Sequence, residues 1–133
     1  MGALRRWLVR LTETDEARLD AEIREWAEAV PGSVRIGDAP LRQSVKIAGV
    51  IRRLTVFPMA DNESLESVVS DGTGEVVVRF MGRRAIGGLT LGSRVVVEGV
   101  LGEHHGHVHM INPRLELIAW LRAGSRIGVR PCT

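Results

Sequence analysis

The chain has 133 residues, 44% hydrophobic and 26% charged, with a formal net charge of +2 at pH 7. One domain of this size buries enough apolar surface to fold without disulfides or metal, and the single cysteine, Cys132, excludes an intrachain disulfide framework. No stretch reaches the roughly 20 apolar residues of a membrane span, and no apolar run follows Arg5, Arg6 and Arg10 as a secretion signal requires; a cytoplasmic protein making no membrane contact is the expectation.

Leu4, Trp7, Leu8 and Leu11 recur at helical spacing and predict a first helical stretch. Thr12 or Thr14 suits an N-cap with acidic residues following, so a second helix is expected to about Ala29, with Leu19, Ile23, Trp26 and Val30 as its apolar face. A single helix kinked near Thr12 fits the same pattern. Pro31-Gly32 stops the helix. The chain divides as an N-terminal helical segment over 1–31, a β domain over 32–119 and a basic tail over 120–133 that is expected to be mobile. Ser33 to Ser44 reads as a linker whose Val34 and Ile36 touch the core.

Strand-like alternation then takes over. Val45, Ile47 and Ile51 flank Gly49; Leu65, Ser67 and Val69 lead into Asp71-Gly72-Thr73-Gly74, and Val76, Val78 and Phe80 lead out of it. Val95, Val97 and Gly99 follow a Gly-rich insertion, then Val108 and Met110, then Leu115 and Leu117. Period-two patterns bounded by Gly, Asp and Asn mark half-buried antiparallel strands. Five such strands with an insertion between the third and fourth predict a mainly β protein built on the small Greek-key barrel known as the OB-fold.

The order Val45-x-Ile47-x-Gly49, Asp71-Gly72-Thr73-Gly74, Gly92-x-x-Val95-x-Val97-x-Gly99 and Asn112-Pro113 resembles OB domains of the anticodon-binding type, and is similar to the wedge domain of RecG-type helicases. A closer resemblance is to small actinobacterial proteins of one helix and one OB-fold, usually described as nucleic-acid binding. Their Gly-Arg-Arg-x-Ile segment appears as Gly82 to Ile86, and their Asn-Pro-Arg-x-Glu-Leu as Asn112 to Leu117. Gly87 stands where that group usually has Pro, and Leu115 where it usually has Tyr. The resemblance spans roughly Arg5 to Ile118 and implies non-catalytic binding of nucleic acid.

Charge is unevenly spread. Thr12 to Val30 carries a net −5, Pro31 to Ala119 is close to neutral, and the tail adds Arg122, Arg126 and Arg130 without an acid. A binding face is therefore expected from local placement rather than from overall charge. If Val76, Val78 and Phe80 point inward, then Glu75, Val77, Arg79 and Met81 point outward, as do Glu66, Val68 and Ser70 on the preceding strand. Arg79 is then placed to meet a phosphate, with Lys46 and Arg52 or Arg53 on the first strand; the resemblance extends this track through Arg83 and Arg84. The competing reading has the arginines of this face paired with Glu66 and Glu75. Aromatic platforms usually supply about 1–3 kcal/mol per base; with no Tyr in the chain, Phe57 is the one ring expected to be exposed, so binding should be weak and salt-sensitive.

His104-His105-Gly106-His107-x-His109 occupies the expected connection between strands four and five. His105 and His107 are placed as nucleic-acid contacts, this loop being a common contact in OB-folds. Imidazoles at such spacing can share zinc or copper, but with no nearby Cys and only Glu103 among the acids, no metal and no cofactor are expected. The Arg5, Arg6 and Arg10 helix suits an anionic surface; docking on its own β domain, or on a second copy to give a homo-oligomer, is favoured. Asp71-Gly72-Thr73-Gly74 joins two strands and opens no helix, so it is not a phosphate-cradling loop, and nothing in the sequence predicts an enzyme. The expected partner is single-stranded DNA or RNA. The alternative is a protein–protein interaction module using the β domain and the N-terminal helix.

Overall fold

The computed structural model describes residues 2–58, 63–119 and 128–131, and of residues 2–14, 119 and 128–131 the backbone alone. One helix, α1 (Gly2–Ala29), precedes a single 3-10 turn at Ile36–Asp38 and seven strands: β1 (Ser44–Pro58), β2 (Glu63–Ser70), β3 (Glu75–Met81), β4 (Arg94–His104), β5 (His107–Ile111), β6 (Arg114–Ala119) and β7 (Gly128–Pro131). The helix is continuous through Thr12, so the expected break into two helices does not occur. No Pro or Gly interrupts residues 3–30, and threonines alone cost a helix interior too little to end it. The Leu4-Trp7-Leu8-Leu11 side chains and those of Arg5, Arg6 and Arg10 lie outside the described residues, as does Cys132.

The strands follow the order β1-β2-β3-β5-β4, and β1 pairs with β4 as well, which closes these five into a ring. All pairings in the ring are antiparallel except β3 with β5. The ring thus has the five strands expected, and two more lie beyond it: β6 is added to β4, and β7 pairs antiparallel with β6. The tail is thus not wholly irregular, since Gly128–Pro131 is β7. An edge strand held by main-chain hydrogen bonds needs no apolar period, so β7 leaves no alternation to read.

The inward rows are those the alternation predicts. Ile47, Ile51, Val69, Val76, Val78, Val95, Val97, Leu101 and Met110 are essentially fully buried inside the ring. Ile86 and Leu89, from the connection between β3 and β4, and Ile36, from the 3-10 turn, extend the same core. A long β1 serves both neighbours: its first half pairs with β4 and its second half with β2. At the crossover Gly49 lies so close to β2 that a Cβ there would stand 2.6 Å from Val69 Cγ1 and 2.7 Å from the Ser70 carbonyl oxygen. Backbone cannot yield as a side chain can, so Gly49→Ala is expected to cost about 2 kcal/mol, measured as a lower urea midpoint with an unchanged m-value.

A smaller apolar layer seats α1 outside the ring. Ala27 packs with Ala48 of β1 and Val96 of β4, flanked by Trp26, Val30 and Ile118. The Arg94 guanidinium lies 4.9 Å from the Trp26 ring centroid, a cation–π contact from β4 to the helix. Leu19, expected on the docked face, is 53% exposed, and Ala27 takes part instead. The Ser33 hydroxyl donates to the Ala27 and Val30 carbonyls at 2.6 and 2.9 Å, satisfying the helix end after the Pro31-Gly32 stop. Among the described residues no helix is long and apolar enough to cross a membrane.

Candidate nucleic-acid interface

The outer face of β2, β3, β5 and β4 is built in rows set by strand register. One row runs Arg53, Val68, Val77, His109 and Gly102; the next runs Thr55, Glu66, Arg79 and Ile111; a third holds Phe57, Ser64 and Met81. Residues opposite one another in a ladder share a face, so Arg53, Arg79, Phe57 and His109 lie on one face although they are up to 56 residues apart in sequence, from Arg53 to His109.

A groove of about 630 Å³ opens over β4 and β5, lined among others by Arg42, Arg79, Val100, His104, His109 and Ile111. Val100 and Ile111 are 58% and 63% exposed, unusual for large aliphatic side chains, and form its apolar part. Arg42 and Arg79 supply cations. Arg79 Nη2 donates to Glu66 Oε2 at 2.8 Å, its guanidinium lies 5.9 Å from the Phe57 ring centroid, and its Nε has no hydrogen-bond partner among the described residues. Phe57, 42% exposed as expected, sits at the end of β1.

The expected pairing of Arg79 with Glu66 is therefore present, but both groups are partly solvated. An ion pair of this kind is worth little, roughly 0–1 kcal/mol, and gives way readily to a phosphate that offers bidentate geometry.

The remaining predicted residues divide. Arg53 shares the outward row with His109. Arg52 does not, because the register slips between Ile51 and Arg53. The bulge turns Arg52 toward α1, where Nη2 meets Asp20 Oδ1 at 2.9 Å. Lys46 lies on the stretch of β1 opposite Glu98, beside the segment that follows α1, with its carbonyl accepting from Val34 N–H. It is not among the groove residues. Arg83 and Arg84 are exposed in the connection after β3, and Arg84 Nε stands 3.2 Å from Glu63 Oε2.

The histidine segment is a tight β4–β5 hairpin in which His104 pairs with His107 across His105-Gly106. His105 has a φ of 51°, as the turn needs, which keeps it at the tip. His104 and His109, rather than His105 and His107, line the groove; their ring centroids are 5.8 Å apart at 90°. Among the described residues no group of three or more potential metal-ligating side chains converges.

His109 has its pKa lowered from 6.5, chiefly by burial, with Glu66 opposing and His104, Arg79 and His107 reinforcing the shift. A depressed histidine favours the neutral ring in the folded state. Its contribution to stability is therefore full above pH about 6.5 and is lost as pH falls through the lowered folded value. In an NMR titration of ring Cε1–H shifts, His109 is expected to titrate below 6.5. Glu66→Gln should lower its midpoint further, and Arg79→Gln should raise it; shifts of the opposite sign would contradict the assignment.

Arg42 is the groove cation that the sequence pattern missed. It lies outside any strand and has a φ of 63°. Its backbone N–H donates to the Leu101 carbonyl at 2.7 Å, which places it beside β4. No local signal carries that long-range bond, although a basic residue just before a core strand was the available hint.

No protein-family model matches the chain, and no curated protein is significantly similar to it.

Proposed function

We propose that this chain is a non-catalytic OB-fold protein of the cytoplasm that binds single-stranded DNA or RNA across the groove over β3, β5 and β4. The observation that carries the reading is the grouping of Arg42 and Arg79 with solvent-facing Val100 and Ile111 and the edge-on His104 and His109 rings. Single-stranded nucleic acid presents anionic phosphates along one edge and flat apolar bases along the other, and a groove with cations beside exposed apolar and ring surfaces meets both. The OB-fold reading draws support from the ring order β1-β2-β3-β5-β4 with its parallel β3–β5 closure, and from the resemblance of the Asn112 to Leu117 and Gly82 to Ile86 segments to the small actinobacterial group.

With one aromatic ring and two or three cations on this face, binding is weak and mostly electrostatic. The test is fluorescence anisotropy of labelled single-stranded DNA and RNA at low and moderate salt. Saturable binding is expected, with a log–log salt slope of about −1.4 to −2, two or three phosphates at about 0.7 each. No saturation at about 50 μM protein in low salt would reject the proposal, since even non-specific binding usually falls within that range. A second reading, docking of a protein partner on the β domain and helix, is favoured by the apolar groove floor and by the Glu66 partner of Arg79; it predicts no salt-dependent oligonucleotide binding.

A further inference from the structure

Two segments distant in sequence meet in a second cleft, about 320 Å³ in volume, next to the groove. Gly82 to Ile86 contributes Arg83 and Ile86, and Asn112 to Leu117 contributes Asn112, Pro113, Arg114 and Leu115. Asn112 ties its segment to β3, just before Gly82. Its backbone N–H donates to the Arg79 carbonyl, and its Oδ1 accepts from Met81 N–H, both at 2.8 Å. With Oδ1 engaged, the side-chain Nδ2 keeps its two donors. Among the described residues the cleft is lined by two arginines and no acidic residue. Arg83 forms no ion pair among the described residues, and Arg114 has only Glu116 at 3.9 Å, the loosest contact of its kind here.

From this arrangement we infer that the cleft between the β3–β4 connection and the β5–β6 link is a phosphate-binding site formed by Arg83, Arg114 and Asn112. Two planar guanidinium forks and an amide offer an oxyanion several charge-assisted hydrogen bonds at once. Among the described residues no acid lines the cleft, in contrast to Arg79 with its Glu66; Glu98 lies opposite Arg114 in the β4–β6 ladder. Ile86, Pro113 and Leu115 complete the lining. The position is also apt. Arg79 and Met81 lie two residues apart on β3, about 7 Å, so a strand crossing the groove at Arg79 reaches the cleft with its next phosphate or its terminal one. This extension rests on the proposed single-strand binding, but the phosphate site itself does not.

The experiment is an NMR titration of the ¹⁵N-labelled protein with inorganic phosphate at low ionic strength, following the Arg Nε–H and Asn side-chain signals, with chloride as control. Saturable shifts at Arg83, Arg114 and the Asn112 amide are expected, and they should disappear in the Arg83→Gln/Arg114→Gln variant. Both arginines are exposed, so the variant should fold, and an otherwise unchanged amide spectrum checks this. Shifts spread evenly over all exposed arginines, or none beyond the chloride control, would overturn the site. A second arm compares decamers with and without a 5′-phosphate. Preference for the phosphorylated decamer assigns a terminal phosphate, and equal binding with shifts at Arg83 and Arg114 assigns an internal one. Decamer binding that leaves Arg83 and Arg114 unshifted rejects the extension of the bound strand into the cleft while sparing the groove.

Discussion

Replacing Asp71 by Ala should destabilise the fold by about 3–4 kcal/mol, a large part of the total for a domain of this size. The Asp71 side chain is 2% exposed and accepts four hydrogen bonds. Oδ1 takes those from Thr73 N–H at 2.8 Å, Thr73 Oγ1–H at 2.6 Å and Gly74 N–H at 3.2 Å; Oδ2 takes that of Ile36 N–H at 2.8 Å. Three of these close the β2–β3 turn. The fourth ties that turn to the 3-10 segment and so holds Ile36 in the core. Alanine leaves buried donors with nothing to accept them, which costs more than the bonds themselves contributed. Asp71→Asn keeps one acceptor but sets an amide N–H against Ile36 N–H if the other oxygen is preserved, so it should fall between Ala and wild type. The same turn also fits under the helix, because a Cβ at Gly72 would stand 2.6 Å from the Asp20 carbonyl oxygen. Urea unfolding followed by circular dichroism measures these effects, with the midpoint expected to fall by about 2 M at an m-value near 1.5 kcal/mol/M. A loss below about 1 kcal/mol would mean that water replaces the carboxylate, and that Asp71 does not organise the turn.

The second large effect concerns function and has opposite signs at two neighbouring residues. Arg79→Gln should weaken oligonucleotide binding about tenfold, by removing the central cation of the groove, with Arg42→Gln adding a further loss. Glu66→Gln should strengthen it several-fold, because Glu66 is the group that holds Arg79 Nη2 in the free protein. A purely structural ion pair predicts that both substitutions act alike, since either one breaks the same contact. Anisotropy titrations on the three variants at fixed low salt separate the cases, and equal weakening by Arg79→Gln and Glu66→Gln would remove Arg79 from the interface.

Much of this architecture is legible in the sequence because its cause is local. The alternation Val76, Val78, Phe80 fixes which face of β3 is buried, and that alone puts Arg79 outside. The Asp71 turn is equally legible, since Asp and Gly are placed where a hairpin reversal needs them. The bulge at Arg52 is not: with strict alternation one of two adjacent arginines joins the outward row of β2 and β3, and only the pairing with β2 decides that it is Arg53. Arg42 and the shared cleft of Arg83 and Arg114 depend on contacts between segments tens of residues apart, which no local pattern encodes. His104 and His109 were within reach, because the even spacing of a two-residue hairpin puts positions 104, 107 and 109 on one face and leaves 105 at the tip. The sequence pattern also overstated the helix break, since N-cap residues within a long helical run do not by themselves start a new helix.

The most direct test of the central claim is a ¹H–¹⁵N amide map of the protein titrated with an unlabelled single-stranded decamer. The largest shifts are expected on Arg42, Arg79, Gly102, His104, His109 and Ile111, with the acidic residues of α1 unmoved. Shifts confined to α1, or no shifts on β3, β4 and β5 at saturating oligonucleotide, would contradict it.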